Sequence, residues 1–262
     1  MMIYTVMTCL QEQHDIRFVV AAILICILSS TTAVHLLGNC HSLHFPSIST
    51  KLLPAICVTS IGIWATHFVA VLGYDTGLDT CYNLAITGIA ALFSFVTVAF
   101  GMVFGVFFNS VLSYALGGLY LGLGIAVMHF LGMFAVQVHG WMVFHLPYTI
   151  FAIVAGCLLS ALAFAAFACI RSTWRYPVAS FLMVVAVCTL HFIAMSWTEF
   201  IPSPDPVNIA DGINGTVLAI VVFSLWVFVT VIALARHWSF SLDEADQLPA
   251  GLTAEHNTPQ QI

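Results

Sequence analysis

Residues 124–137 read GIAVMHFLGMFAVQ. An apolar run of helix-forming residues holds one imidazole, His129, with the thioethers of Met128 and Met133 beside it. The pattern occurs three times. THFVAV begins at Thr66 and LHFIAM at Leu190, so His67, His129 and His191 recur at an interval of 62 residues, each followed by phenylalanine. Three positions after each histidine comes a small residue (Ala70, Gly132, Ala194), and five before it comes another (Gly62, Gly124, Ala186). Eight positions after it comes a polar one: Asp75, Gln137 or Glu199.

The surroundings of the motif say what medium it lies in. Of 262 residues, 61% are hydrophobic and 6% charged, against roughly 25% charged in a soluble domain. Such a chain cannot cover a globular surface, and we read it as an integral membrane protein in contact with the lipid bilayer. Five Lys or Arg in all exclude nucleic-acid binding, which needs a basic footprint. A bilayer-spanning helix needs roughly 20 apolar residues. Seven runs qualify: 17–38, 52–74, 84–108, 112–137, 148–170, 177–198 and 215–236. The first is too long for a signal-peptide core and follows Glu12 and Asp15, so it is read as retained.

The expected fold is therefore an all-α membrane protein of seven transmembrane helices, one leading helix followed by three two-helix repeats. Residues 1–16 form an outer N-terminal segment, 17–236 the membrane domain, and 237–262 a polar tail expected to be disordered. Lys51, Arg171, Arg175 and Arg236 share one side with the C-terminus, and only Arg17 lies on the other. The positive-inside rule then places the N-terminus outside and the C-terminus in the cytoplasm of a bacterial inner membrane.

Because each repeat crosses the membrane twice, the second, fourth and sixth spans run in the same direction. Their histidines lie at one depth, and the polar residues eight positions on mark the outer boundary, about 12 Å away. The small residues permit close helix approach, and Gly118 and Gly122 add a further pair. His129 and Met133, like His191 and Met195, share a helix face at i and i+4. Met128 points about 100° away, able to close a site from the side. Imidazole and thioether together suit copper, and a neutral imidazole carries no charge into lipid. Three histidines in register argue for a shared site, since packing does not ask for the same residue at the same depth three times. The alternative is three separate histidines, each hydrogen-bonded across a helix interface.

The M-H-x-x-G-M pattern on alternate spans resembles the MHYT domain, a bacterial integral-membrane sensory module. The likeness runs over nearly the whole chain and is strongest in GLGIAVMHFLGM and HFIAMSW. It implies a sensor that holds copper near the outer face through Met128, His129, Met133, His191 and Met195, with His67. The implied signal is a diatomic gas (oxygen, carbon monoxide, nitric oxide) or a redox change. Thr66 and Val71 stand where the first motif would have methionines, and Leu190 where the third would have its first, which argues against a second copper. Phe replaces the tyrosine of the family name in all three. Many members carry a cytoplasmic signalling domain. These residues hold none, so either output is expected to pass to a cytoplasmic signalling protein in trans, or the chain is a sensor without its effector.

Asp75, Gln137 and Glu199 are candidate outer-mouth residues. His139, His145 and Trp141 are read as exposed loop residues, and His35, His41 and His44 with Lys51 as interfacial ones. Trp64, Trp141, Trp197 and Tyr74 fit an aromatic belt. The eight cysteines form no C-x-x-C pair, and a bridge between Cys9 and Cys81 is left open. No phosphate-binding glycine loop or nucleophile elbow is present, so the chain is not expected to be an enzyme. No helix interior offers the lysine of a retinal Schiff base. Two functions compete with the sensor: copper transport or storage, and electron transfer by a haem with two histidine axial ligands.

Overall fold

The computed structural model describes residues 2–38, 40, 47–203 and 212–246. His41, His44, Asp205, Asp211 and the Lys51 side chain lie outside the described set. In chain order the elements are α1 (Met2–Glu12), α2 (Ile16–Gly38), α3 (Ser47–Leu72), β1 (Thr80–Tyr82), α4 (Leu84–Phe108), α5 (Val111–Ala135), β2 (Val136–Val138), β3 (Gly140–Phe144), α6 (Leu146–Cys169), α7 (Arg175–Ser196), β4 (Thr198–Pro202) and α8 (Gly215–Asp246). Seven of the helices, α2 to α8, are long and apolar enough to cross a membrane.

Local sequence sets where the helices start and turn. The Asn83 side chain accepts the Ile86 N–H at 3.0 Å and caps α4. Asn109 takes φ 44° and ends α4. Asparagine tolerates this left-handed conformation better than most residues. Ser110 and Ser113 then form a capping box that opens α5. Pro147 falls in the first turn of α6, where its missing N–H has no helical acceptor to lose.

Three helices are inner and the rest wrap them. α3 touches α5, and α5 touches α7. α2 packs on α3 and α7, α4 on α3 and α5, and α6 on α5 and α7. Each of these outer helices thus fills a groove between two inner ones, and α8 adds an outer layer on α3. Close approach rests on small residues, as expected. A Cβ on Gly122 would lie 2.6 Å from the Cys157 Cα, and one on Gly118 2.9 Å from the Ala161 Cα.

One end of the bundle is closed by backbone pairing. β1 pairs antiparallel with β2 and β3 with β4, with Tyr82 opposite Val136 and Phe144 opposite Thr198. An isolated bridge joins His14 to Tyr74. The backbone N–H groups of Asp15, Asn83 and His145 donate to the carbonyls of Gly73, Ala135 and Trp197 at 2.8, 2.8 and 3.1 Å. These acceptors are again 62 residues apart. Each bond ties the start of an outer helix to the end of the inner helix that follows it. The 62-residue repeat is thus a pseudo-threefold arrangement, and α2 completes it as the third outer helix.

Some expectations are corrected. The inner helices stop at Leu72, Ala135 and Ser196, two residues short of the expected ends, because strand and bridge pairing captures the backbone beyond. Gln137 therefore lies in β2 and not on a helix, and Glu199, just past the expected sixth span, lies in β4. The N-terminal segment is itself mostly helical, and α1 packs on α7. α8 continues to Asp246, so the part of the expected tail from 237 to 246 is helical, and 247–262 lie outside the described residues.

A candidate metal centre between three helices

The histidine positions on α3, α5 and α7 come to one level and face one another. His67, His129 and His191 are 3%, 1% and 5% exposed. Ring centroids are 4.9 Å apart for His67 and His129, 5.2 Å for His129 and His191, and 5.5 Å for His67 and His191, with planes near perpendicular. Two imidazoles on one ion, with metal–nitrogen bonds of about 2.0–2.1 Å and a tetrahedral or trigonal angle between them, place their centroids about 5–5.5 Å apart. One nitrogen from each ring lies within 4.8 Å of the others. Among the described residues this is the one place where three His, Cys, Asp or Glu side chains converge so closely.

A hydrogen-bonded cluster alone does not account for the arrangement. The Nδ1 atoms of His67 and His129 are 3.2 Å apart, so one donates to the other. That leaves His67 Nε2, His129 Nε2 and both nitrogens of His191 buried with no protein partner. A buried polar group left unpaired costs about 1–3 kcal/mol, so the cluster is short of partners, and one nitrogen from each ring is available to a shared ligand. The cavity between the rings is about 20 Å³, enough for one species the size of a water molecule. It is lined by the residues four and one before each histidine: Ile63, Ile125 and Val187, and Thr66, Met128 and Leu190. It offers no room for a porphyrin.

Of the expected ligands, the structure brings together His67, His129, His191 and Met128. Met133 and Met195 are wholly buried but do not line the cavity. Helical side chains lean toward the N-terminus of their helix, so the imidazoles tilt away from the layer one turn on, which holds Val71, Met133 and Met195. The small residues are explained individually. The His67 ring lies against Gly132 of α5, and a Cβ there would overlap His67 Nε2. A Cβ on Gly62 would strike Ser29 of α2, and one on Gly124 would strike Thr97 of α4. Cys188 also lines the cavity; its thiol is hydrogen-bonded to that of Cys26, which also reaches Ser30 and Thr66, and no disulfide joins the two.

The candidate mouth residues lie at the paired end, but none lines the cavity. The Asp75 carboxylate accepts the Gly77 N–H at 2.8 Å, Gln137 accepts from the Cys81 thiol at 3.5 Å, and Glu199 meets His145 at 2.9 Å. His145 is therefore the residue that caps α6 and holds Glu199, while His139 is exposed. Trp64 is core and not belt: it is 3% exposed and its indole N–H donates to the Thr87 carbonyl. Trp197 stacks on Tyr148 at 3.5 Å, whereas Trp141 is exposed. At the other end His35 stacks on Tyr176. No disulfide joins Cys9 to Cys81.

Sequence reading missed one residue near the cluster. His14 precedes α2, is 6% exposed, and packs edge-on to Tyr74, Phe192 and His191 at 4.9, 5.6 and 6.3 Å between centroids. Its Nδ1 lies 3.1 Å from the Cys9 carbonyl, and its Nε2 is buried without a partner. Burial lowers its pKa below the ordinary histidine value, so it is neutral at pH 7. Nothing in the 62-residue spacing points to it, because the first repeat is six residues longer at this point.

These features define a multi-pass bacterial membrane protein with a buried tri-histidine cluster. Residues 61–118 and 122–180 each match the MHYT family, described as "Bacterial signalling protein N terminal repeat". The chain belongs to that family. It is 28% identical over 225 residues to an uncharacterized signaling protein of Caulobacter vibrioides, covering 85% of this chain and 28% of that one. It is 32% identical over 195 residues to the cyclic di-GMP phosphodiesterase NbdA of Pseudomonas aeruginosa, covering 68% and 24%. The bifunctional diguanylate cyclase/cyclic di-GMP phosphodiesterase MucR of the same organism is 25% identical over 221 residues, covering 81% and 32%. The chain spans 24–32% of these relatives' lengths. No solved structure matches it.

Proposed function

We propose that this membrane domain is a sensor that holds one copper ion between His67, His129 and His191. The observation that carries the reading is the convergence of three buried imidazoles, one nitrogen of each within 4.8 Å of the others, on a cavity of about 20 Å³. Three imidazoles with a thioether from Met128 at the side form a donor set that suits copper in either oxidation state. Copper bound there supplies a one-electron couple and a coordination position for a diatomic ligand. The protein's part is to keep the imidazoles neutral, converged and shielded from water. Gly132 admits the His67 ring, and Phe68, Phe130 and Phe192 each pack edge-on to the histidine they follow.

The layer of Ile63, Ile125 and Val187 offers no His or Met ligand beyond the cluster, and Cys188 is the one thiol on the cavity wall. The lack of a His or Met path favours retention over transport, and the cavity size favours an ion over haem. The paired end faces outward in this reading, because Arg171, Arg175 and Arg236 gather toward the other end. A shift in the inner helices, driven by a gas or redox change at the three imidazoles, passes to a cytoplasmic signalling protein. Such output requires two arrangements that the signal stabilises unequally. The cyclic di-GMP activities named for the relatives suggest the chemistry of that partner.

Metal analysis of the purified full chain, with an absorption spectrum, tests the reading on wild type and His129→Ala. One copper per wild-type chain, lost in the variant and without a Soret band, is the expected result. Equal metal content in both would remove His129 as a ligand and sink the proposal.

A further inference from the structure

The first repeat lacks both motif methionines, Thr66 and Val71 standing in their places, yet it holds an imidazole that the other two repeats do not. The backbone pairing identifies its position. His14 bridges to Tyr74 as Tyr82 pairs with Val136 and Phe144 with Thr198. His14, Tyr82 and Phe144 each stand two residues before an outer helix. The repeat therefore places an aromatic ring at this point, and only the first copy replaces it with histidine.

That ring is built to present a ligand atom. Its Nδ1 donates to the Cys9 carbonyl, which fixes the tautomer and leaves the lone pair on Nε2. A backbone carbonyl on the far nitrogen is the usual support of a metal-binding histidine. Nε2 is buried and unpartnered, and the ring packs against His191 and Phe192. The 6.3 Å between the His14 and His191 centroids exceeds the roughly 5–5.5 Å of two imidazoles sharing one ion at tetrahedral or trigonal angles, the angles that the three clustered rings keep among themselves. His14 is thus too far to complete the cluster as it stands, and near enough to hand an ion on. Its position between the paired end and His191 puts it on the entry side. The Cys9 thiol, 3.8 Å from Nδ1, adds a soft group beside it.

We infer that His14 is a transfer ligand: it takes a copper ion arriving at the paired end and passes it to His191. This rests on the proposed copper site, and the test separates the two. His14→Tyr and His14→Phe restore the rings found at the equivalent positions 82 and 144, so the fold has a precedent for both. The full chain is loaded with copper(I) alone, released from a coloured chelator whose absorbance follows uptake. Metal per chain is measured at equilibrium.

Both variants are expected to bind as much copper as wild type but to load and release it several-fold more slowly, since the ring that replaces His14 offers the arriving ion no nitrogen. Loading at the wild-type rate in a folded variant would overturn the inference while leaving the copper site intact. Loss of the bound copper in the variants would also overturn it, making His14 a resident ligand. A wild-type chain that takes up no copper would overturn both proposals.

Discussion

Gly132→Ala is the sharpest probe of the cluster, because it changes no donor atom. The added Cβ would lie 2.5 Å from His67 Cδ2 and 3.2 Å from Cε1, and closer still to Nε2. Carbon atoms pack at about 3.5–4.0 Å, so the ring must retreat by roughly 1 Å. A shift of that size breaks the 3.2 Å contact between the His67 and His129 Nδ1 atoms and withdraws one of three imidazoles. Overpacking of this kind costs about 1–3 kcal/mol. At about 2–4 °C per kcal/mol for a chain of this size, the melting temperature should fall by about 2–12 °C. Copper affinity should fall about 10–100-fold, as when a ligand loses its support. Two companions separate packing from ligation. Gly124→Ala strikes Thr97 of α4 and no histidine, so it should lower stability and keep copper. Gly88→Ala meets nothing within 4 Å and should keep both. The assay is a thermal melt in detergent paired with copper titration. Wild-type affinity in Gly132→Ala, or a loss in Gly124→Ala as large as in Gly132→Ala, would refute the argument.

Two further outcomes concern the frame around the site. Arg17 bonds to the Asp15 carboxylate through both its guanidinium and its backbone N–H, which holds the Asp15 pKa below its ordinary 3.8. A lowered folded pKa gives stability that is present above the unfolded value and lost as pH falls through the folded one. Arg17→Gln should therefore bring the Asp15 pKa back toward 3.8, read by carboxylate NMR, and reduce the pH dependence of the melt below that value. At the α4–α5 turn, Asn109 holds a left-handed φ. Asn109→Gly should be neutral or stabilising, while Asn109→Val should cost about 1–3 kcal/mol, measured as the difference between the two melts.

Much of this protein is legible as periodicity. The 62-residue recurrence of His67, His129 and His191 predicts that they share depth, because in a bilayer the helices must run straight across and each repeat must return to its starting side. The small residues at fixed offsets predict close packing, and Gly132, Gly62 and Gly124 deliver it. What such reading missed was short-range or out of register. The strands beyond α5 and α7 are three and five residues long, too brief to announce themselves, and the first of them took Gln137 off its helix. The i and i+4 rule put Met133 and Met195 on the right face but not on the cavity, since spacing says nothing of the tilt that separates successive layers. Trp64 looked like a belt residue, yet it faces α4.

Residue order by itself determined seven crossings, three equivalent helices and one level for three imidazoles, because hydrophobic length and repeat spacing are properties of a single chain read along its axis. Which side chains meet was decided only in three dimensions, where rotation of each helix about that axis is set by its neighbours. Only there did His14, six residues out of step with the repeat, come to rest beside His191.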